Sequence, residues 1–465
     1  MADPTASRAA ESGPDGPTVA GGPGASAGTP IDDGADVARR RFFRQFAGEI
    51  ATTAATLVGT AQALQRTSAE LAGALLDPVR ADERADAASP TTDAGAVPGA
   101  IEPGSVFRTA FRLEGATIRF VDQRALPAAV LEHGASSAAE VAYAIRNGVV
   151  LGGPAAGQAA ALGMALTAAR IRTTRPYARR ATFRGAANAM RNAAPANGSV
   201  RRAMDRSMAA YAAVGELSED GDAIATAMQA EADAIISEAV VDHGKLVEQG
   251  VALLAALPRG ADGVPLRVLV HGPGGTLAGG QFGTALTIAL TAHQREIPIQ
   301  VVVPEARPRF GGSRVSCWEL AGAGVPHLLV ADAAAPSMIA TGELDVVLIP
   351  AERVAANGDV AAAVGTLPIA AVAARHGVPV VVCVAASTLD PATPDGSGIA
   401  TGYLPAEELD NVHGVVLAPP GTESRVPTHD VTPAGLVTTW LTADGARTPP
   451  FGPPQAGVAA TVEPA

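Results

Sequence analysis

Apolar and polar residues alternate along 111–121 around a Glu114-Gly115 turn, the period-two pattern of short strands. The segment VDQRALP (121–127) leads into an apolar helical period over 137–147. From there to about 257 every pattern is helical, with Ala-rich stretches at 156–170 and 223–254. Beyond the proline-bracketed break at 258–265, short apolar runs alternate with helical periods. Expected strands are 266–271, 299–304, 326–331, 345–350, 378–385 and 414–418. Expected helices are 281–293, 313–323, 334–341, 360–376 and 433–442. Strand–helix alternation at this spacing predicts a parallel sheet with helices on both faces. The expected fold class is α/β: a C-terminal Rossmann-like parallel sheet domain over 258–442, and an N-terminal mainly helical domain over 105–257 that carries a small β-sheet.

The ends read differently. Residues 1–36 hold almost no large apolar residue and are expected to be a disordered tail, as is the Pro/Ala-rich stretch 443–465. Between them, 37–104 reads as an extension made of an amphipathic helix over 37–77 and an Asp/Ala/Pro linker over 78–104. Phe42, Phe43, Phe46, Ile50, Leu57 and Leu64 form the apolar face of that helix. The run at 39–44, RRRFFR, is similar to a twin-arginine export signal, but Gln45 and Glu49 interrupt the apolar stretch such a signal needs, so the helix is preferred.

Composition narrows the partners. An apolar content of 48% with 3% aromatic residues predicts a core of Ala, Val and Leu. A net charge of −12 argues against a nucleic-acid surface. The six arginines between Arg170 and Arg184 read as a solvated helix face in preference to a phosphate grip. Two cysteines, Cys317 and Cys383, make neither a disulfide framework nor a zinc site, which fits a reducing cytoplasm. No apolar run reaches the roughly 18 residues of a membrane helix. A small-molecule substrate is the expected partner, with no metal or organic cofactor called for.

The strongest local signal for chemistry is 268–280, VLVHGPGGTLAGG, a short strand followed by five glycines in nine positions. Glycine permits positive φ and close approach of backbone N–H groups to a ligand, and a helical pattern follows at once. Gly272, Gly274, Gly275 and Thr276 are therefore candidate ligands of an anion or polar small molecule; the alternative is a tight strand–helix turn. His271 closes the strand beside them, placed as a general base or as a structural histidine.

Further along stand PEARPRFGGSR (304–314) with Cys317-Trp318-Glu319-Leu320, then PAERVAANGDVAAAVGT (350–366), then DVTPAGLVT (430–438), in which Asp430 and Pro433 read as an N-cap and first turn. Together with DQRALP and GGPAAG (152–157), these resemble methylthioribose-1-phosphate isomerase, a family that also includes ribose-1,5-bisphosphate isomerases and the regulatory α, β and δ subunits of initiation factor 2B. The resemblance covers roughly 106–442. It implies an aldose–ketose isomerase that moves hydrogen between neighbouring carbons, and a homodimer formed through the C-terminal domain.

The same resemblance implies an acid/base pair of a loop cysteine and an aspartate, with phosphate held by an arginine, loop amides and an Asn-Lys pair. This chain departs at those positions. Gly272 stands in the cysteine's place, Glu352 in the aspartate's, Leu151 in the arginine's, and Ala362-Ala363 in the Asn-Lys pair's. Charge-assisted bonds are worth roughly 1.5–3 kcal/mol each, so phosphate binding should weaken. Glu352, one methylene longer than aspartate, remains able to act as acid/base, with His271 as its helper. Asp122, Arg307, Arg309, Arg314, Trp318, Asn357, Gly358, Asp359, Gly365, Thr366 and Asp430 match the pattern. Of these, Arg307, Arg309, Asn357 and Asp359 are candidate substrate ligands, although Asn357-Gly358-Asp359 also reads as a turn and N-cap before helix 360–376. Cys317 reads as a packed residue.

Three functions follow. The first is a divergent isomerase that acts by proton transfer on a small sugar or sugar-phosphate substrate, the lost cations pointing to one less charged than a sugar phosphate or to a different proton transfer; the second is a non-catalytic binding or regulatory protein on the initiation factor 2B-like scaffold. The third, a nicotinamide dehydrogenase, is disfavoured because GPGGTL lacks the third glycine of G-x-G-x-x-G.

Overall fold

The computed structural model describes residues 109–258, 264–412 and 414–448. All lie in one compact unit, Ala96–Ala465. The expected tail 1–36, the helix 37–77 and the linker 78–104 lie outside the described residues, as does most of 443–465.

The small sheet is antiparallel: Phe111–Glu114, Thr117–Val121 and Glu132–Ala135, the last a strand the periodicity did not predict. Five helices follow, Ala138–Arg146, Gly153–Arg170, Pro176–Ala193, Gly198–Val214 and Gly221–Ala256. Three of their starts carry polar side-chain caps, Ser137, Asn197 and Asp220; Asn197 accepts from Val200 N at 2.7 Å and Asp220 from Ala223 N at 2.8 Å. Gly153–Arg170 is buried along nearly its whole length, which its Ala and Gly content permits. A Cβ on Gly157 would stand 2.7 Å from the Ser199 backbone, so only glycine lets these two helices meet there. Pro176–Ala193 carries part of the arginine run. Arg184 is exposed and paired with Glu216 at 2.9 Å, whereas Arg179 is buried and bonds the carbonyls of Arg172, Thr174 and Ser218, so the run is not wholly a solvated face.

The 36-residue helix Gly221–Ala256 packs on the helical layer and also on the Ala285–Gln294 helix and the Thr439–Thr442 strand, fusing the two halves. Among the described residues the main sheet has seven strands, in the order Gly445–Arg447, Thr439–Thr442, Val380–Cys383, Val346–Pro350, Leu266–Val270, Ile299–Pro304 and His327–Val330. All pairs are parallel except the terminal hairpin. The order reverses between Leu266–Val270 and Val346–Pro350, a topological switch point of the kind that opens a ligand crevice beyond the carboxyl ends of the strands. A second sheet, Leu389–Asp390, Arg353–Ala355, Val360–Ala363 and His429–Thr432, stands beyond that end.

Several expected elements change character. Residues 360–376 are not one helix: Val360–Ala363 is a strand and the helix is Thr366–His376. Gly365, at φ +103°, separates them, and pairing with His429–Thr432 overrides the helix preference of the alanines. Residues 433–442 form a short 3-10 turn, Ala434–Leu436, and the strand Thr439–Thr442, which buries Trp440 and Leu441. The strand at 414–418 is instead a hairpin of Asn411–Val412 and Val415–Val416. The expected tail begins with the strand Gly445–Arg447. Helix 281–293 starts at Ala285, after a separate turn of helix, Thr276–Gly279.

Candidate active site

A cavity of about 320 Å³ opens at the switch point. Gly272 and Pro273, following one central strand, form part of its wall, and Pro350, Ala351 and Glu352, following the other, form more. The start of helix Gly153–Arg170 and the turn before helix Gly198–Val214 face them.

Glu352 is the chemical centre of this cavity. Its backbone is clamped by Glu352 N to Ala361 O at 2.9 Å and Gly198 N to Glu352 O at 3.0 Å. Asn197 Nδ2 donates to Oε1 at 2.6 Å and Gly153 N donates to Oε2 at 3.2 Å. Burial raises its pKa to about 7, against the lowering effect of those two bonds. A carboxyl poised near neutrality in a cleft is suited to giving and taking a proton.

Arg307 and Arg309 enter from the loop after Ile299–Pro304. Ala306 at φ +57° and Phe310 at φ +56° bracket this loop in left-handed backbone, a strained conformation for residues with side chains. Asp332 holds the entry by accepting from Ala306 N and Arg307 N, both at 2.8 Å. The Arg307 guanidinium lies over the Phe310 ring at 4.5 Å. Arg309 donates to Arg146 O at 2.6 Å and lies against Gly148, where a Cβ would come within 2.6 Å of it. Burial pulls the Arg309 pKa below the usual arginine value. Arg146, whose backbone carbonyl takes the Arg309 bond, also lines the wall.

The other expected site residues are placed elsewhere. His271 is fully buried behind the wall, its Nε2 3.0 Å from Val364 O, and burial lowers its pKa. It is not on the cavity, because Gly365 and Val364 close over the ring. Gly274, Gly275 and Thr276 do not line the cavity either. Their anion hole is filled from within: Thr276 Oγ1 donates to Glu319 Oε1 at 2.6 Å and Leu277 N to the same oxygen at 3.2 Å. A Cβ on Gly275 would stand 2.2 Å from Glu319 Oε2. Burial raises the Glu319 pKa above the usual carboxylate value, against the lowering effect of its bonds to Thr276 and Leu277.

Asn357 and Asp359 do not line the cavity. Asp359 accepts from Asn357 Nδ2 at 3.0 Å, Gly396 N at 2.9 Å and Ala434 N at 2.9 Å, pinning two loops away from the cavity. It precedes the strand Val360–Ala363 and not the expected helix, and the two N–H groups it holds open the 3-10 turns Gly396–Gly398 and Ala434–Leu436. Asp430 accepts from Gly365 N at 2.7 Å and Leu367 N at 3.1 Å, so it caps helix Thr366–His376 in place of the expected later helix. Asp122 pairs with Arg124 at 2.6 Å. Cys317 is half-buried, and burial pushes its thiol pKa up to about 11, which leaves it a poor nucleophile.

Three residues on or against the cavity were missed. Asn197 carries an N-cap signal, but its bond to Glu352 spans 155 positions and no local pattern signals it. Arg146 read only as the end of a helix. His429 adjoins the motif at Asp430 and lines the cavity, with burial pushing its pKa down to about 4.

Among the described residues no helix is long and apolar enough to cross a membrane. Residues 149–449 match the Initiation factor 2 subunit family (IF-2B). The chain is similar to proteins named methylthioribose-1-phosphate isomerase from Chloroflexus aurantiacus, 37% identical over 338 residues, and from Synechococcus sp. (strain CC9605), 37% identical over 340 residues. Each alignment covers 73% of this chain and 94% of the relative. Among solved structures it is similar to 5-methylthioribose 1-phosphate isomerase from Pyrococcus horikoshii OT3, with a TM-score of 0.63, 29% identity, and coverage of 75% of this chain and 94% of that one. It is also similar to translation initiation factor eIF-2B, subunit delta, from A. fulgidus, with a TM-score of 0.59, 26% identity, and coverage of 74% and 96%. The sheet order, the crevice at its switch point and these likenesses agree, and the chain belongs to the initiation factor 2 subunit family.

Proposed function

We propose that this protein is an aldose–ketose isomerase of the methylthioribose-1-phosphate isomerase type, working with an altered site in which Glu352 moves a proton. The observation that carries the reading is a carboxyl with a pKa of about 7 on the wall of a cavity that also presents Arg146, Arg307 and Arg309. A volume of about 320 Å³ suits a small substrate such as a sugar phosphate. Below its pKa, Glu352 enters neutral, gives its proton to the substrate carbonyl oxygen, and later recovers one from the neighbouring hydroxyl. The arginines replace the loop amides as the anion anchor.

The alternative is a non-catalytic binding or regulatory protein, which the likeness to the eIF-2B delta subunit raises. Leu151, packed with Leu277 and Trp318, lines the cavity without closing it, and an open cavity around a neutral carboxyl favours catalysis.

Arg309→Gln tests the anchor. Losing one charge-assisted bond, worth about 1.5–3 kcal/mol, should raise KM for methylthioribose 1-phosphate by roughly 10- to 150-fold with a much smaller change in kcat. An unchanged KM would place the anion elsewhere.

We also infer a homodimer in the cytoplasm. Leu328 and Leu329, 45% and 48% exposed on an edge strand of the main sheet, offer an apolar contact, and both cysteines are free. Light scattering should give twice the chain mass of 46.4 kDa; a single chain mass would discard the dimer.

A further inference from the structure

Moving a hydrogen between neighbouring carbons takes one group to handle the oxygens and another to handle the carbons. Glu352 serves the first need, and Gly272 brings no side chain for the second. Of the other ionisable residues on the cavity among the described residues, Arg146, Arg307 and Arg309 can only donate, and the Tyr403 hydroxyl is engaged by Arg425. His429 is left.

Its placement is specific. His429 lies opposite Ala363 in the antiparallel pair of His429–Thr432 with Val360–Ala363. Directly opposed residues share a face. Ala363 is on the cavity, and its Cβ is 3.2 Å from where a Cβ on Gly272 would be. The histidine therefore stands one strand away from Gly272.

Its tautomer is fixed as well. The Thr428 hydroxyl donates its one hydrogen to Thr401 O at 2.7 Å. Toward His429 Nδ1, also at 2.7 Å, that hydroxyl oxygen can then only accept. The hydrogen-bond network thus assigns the ring hydrogen to Nδ1. Nε2, which has no hydrogen-bond partner among the described residues, keeps its lone pair.

We propose that His429 Nε2 is the base that takes the proton from the substrate carbon and returns it to the neighbouring carbon, with Thr428 as the positioning residue that fixes the tautomer. The proposal rests on the isomerase reading of this site. Nε2 takes the proton next to the carbonyl while Glu352 protonates the carbonyl oxygen, giving an enediol. The imidazolium then delivers its proton to the former carbonyl carbon, and the Glu352 carboxylate takes the hydrogen of the other hydroxyl. Both groups are restored, and no oxidant or reductant is needed. Burial, with the Arg309 charge acting in the same direction, keeps the ring unprotonated above about pH 4. The other charged groups on the cavity are Arg146, Arg307 and Glu352; the paired strand Val360–Ala363 carries none, and Asp430 is turned to the start of helix Thr366–His376.

The test follows methylthioribose 1-phosphate in deuterated water. Wild type should form ketose and take up deuterium at the migrating position. His429→Gln should lower both by at least about 100-fold while leaving substrate affinity within about threefold. Thr428→Val should also slow the reaction, and Thr428→Ser should restore it. ¹⁵N NMR of the histidines, with His429 assigned by its loss in His429→Gln, should show hydrogen on Nδ1. An active wild type with an equally active His429→Gln, or hydrogen on Nε2, overturns this role alone. An inactive wild type overturns it together with the isomerase reading.

Discussion

Glu352→Gln should lower turnover by at least about 100-fold, the usual worth of a positioned acid/base. The amide accepts from either Asn197 Nδ2 or Gly153 N, but it has no proton to give. In the wild type, kcat/KM should fall as pH rises through about 7, because the neutral acid is the working form. The residual activity of the variant should lose that limb. Stability should respond to the same ionisation. The folded chain holds the Glu352 proton up to about pH 7, whereas an unfolded glutamate releases it near 4.5. This contribution is fully present below pH 4.5 and is lost as pH climbs to about 7, a fall of about 3 kcal/mol. Thermal melts between pH 4.5 and 8 should therefore decline less steeply for Glu352→Gln than for wild type. Equal slopes would mean that the carboxyl is not buried as described.

Glu319→Ala should be among the most damaging single changes, costing about 3–5 kcal/mol. It strips the Thr276 hydroxyl and the Leu277 N–H of their buried acceptor and leaves a void against Gly275. Glu319→Gln should be tolerated to within about 1 kcal/mol. Its carbonyl oxygen still accepts both bonds, and its amide replaces an Oε2 that has no hydrogen-bond partner among the described residues. Chemical denaturation of the two variants checks this directly. If the alanine variant were as stable as wild type, the glycine loop would not depend on Glu319, and its amides would again be candidates for an external anion.

The glycine loop shows where sequence reading succeeded and where it stopped. The strand before it and the break after it were legible, because apolar period and glycine content are local. Its occupant was not, since Glu319 reaches Thr276 from 43 positions away. Ile299–Pro304 was found at its true ends, being an apolar, β-branched run bounded by Pro298 and the loop at Glu305. Val360–Ala363 was misread because four small residues satisfy a helix or a strand equally, and only the partner His429–Thr432 decides. Glu352 was picked out by its motif, and its chemistry needed the fold. Asn197 and Gly153, which share its oxygens, arrive from the other half of the chain.

The most direct test of an isomerase site built on Glu352 is an NMR assay of the purified chain with methylthioribose 1-phosphate. Wild type should form ketose 1-phosphate and take up deuterium from the solvent at the migrating position, and Glu352→Gln should do neither. Absence of product and of substrate binding in the wild type, or product formed equally by the variant, would contradict the isomerase reading.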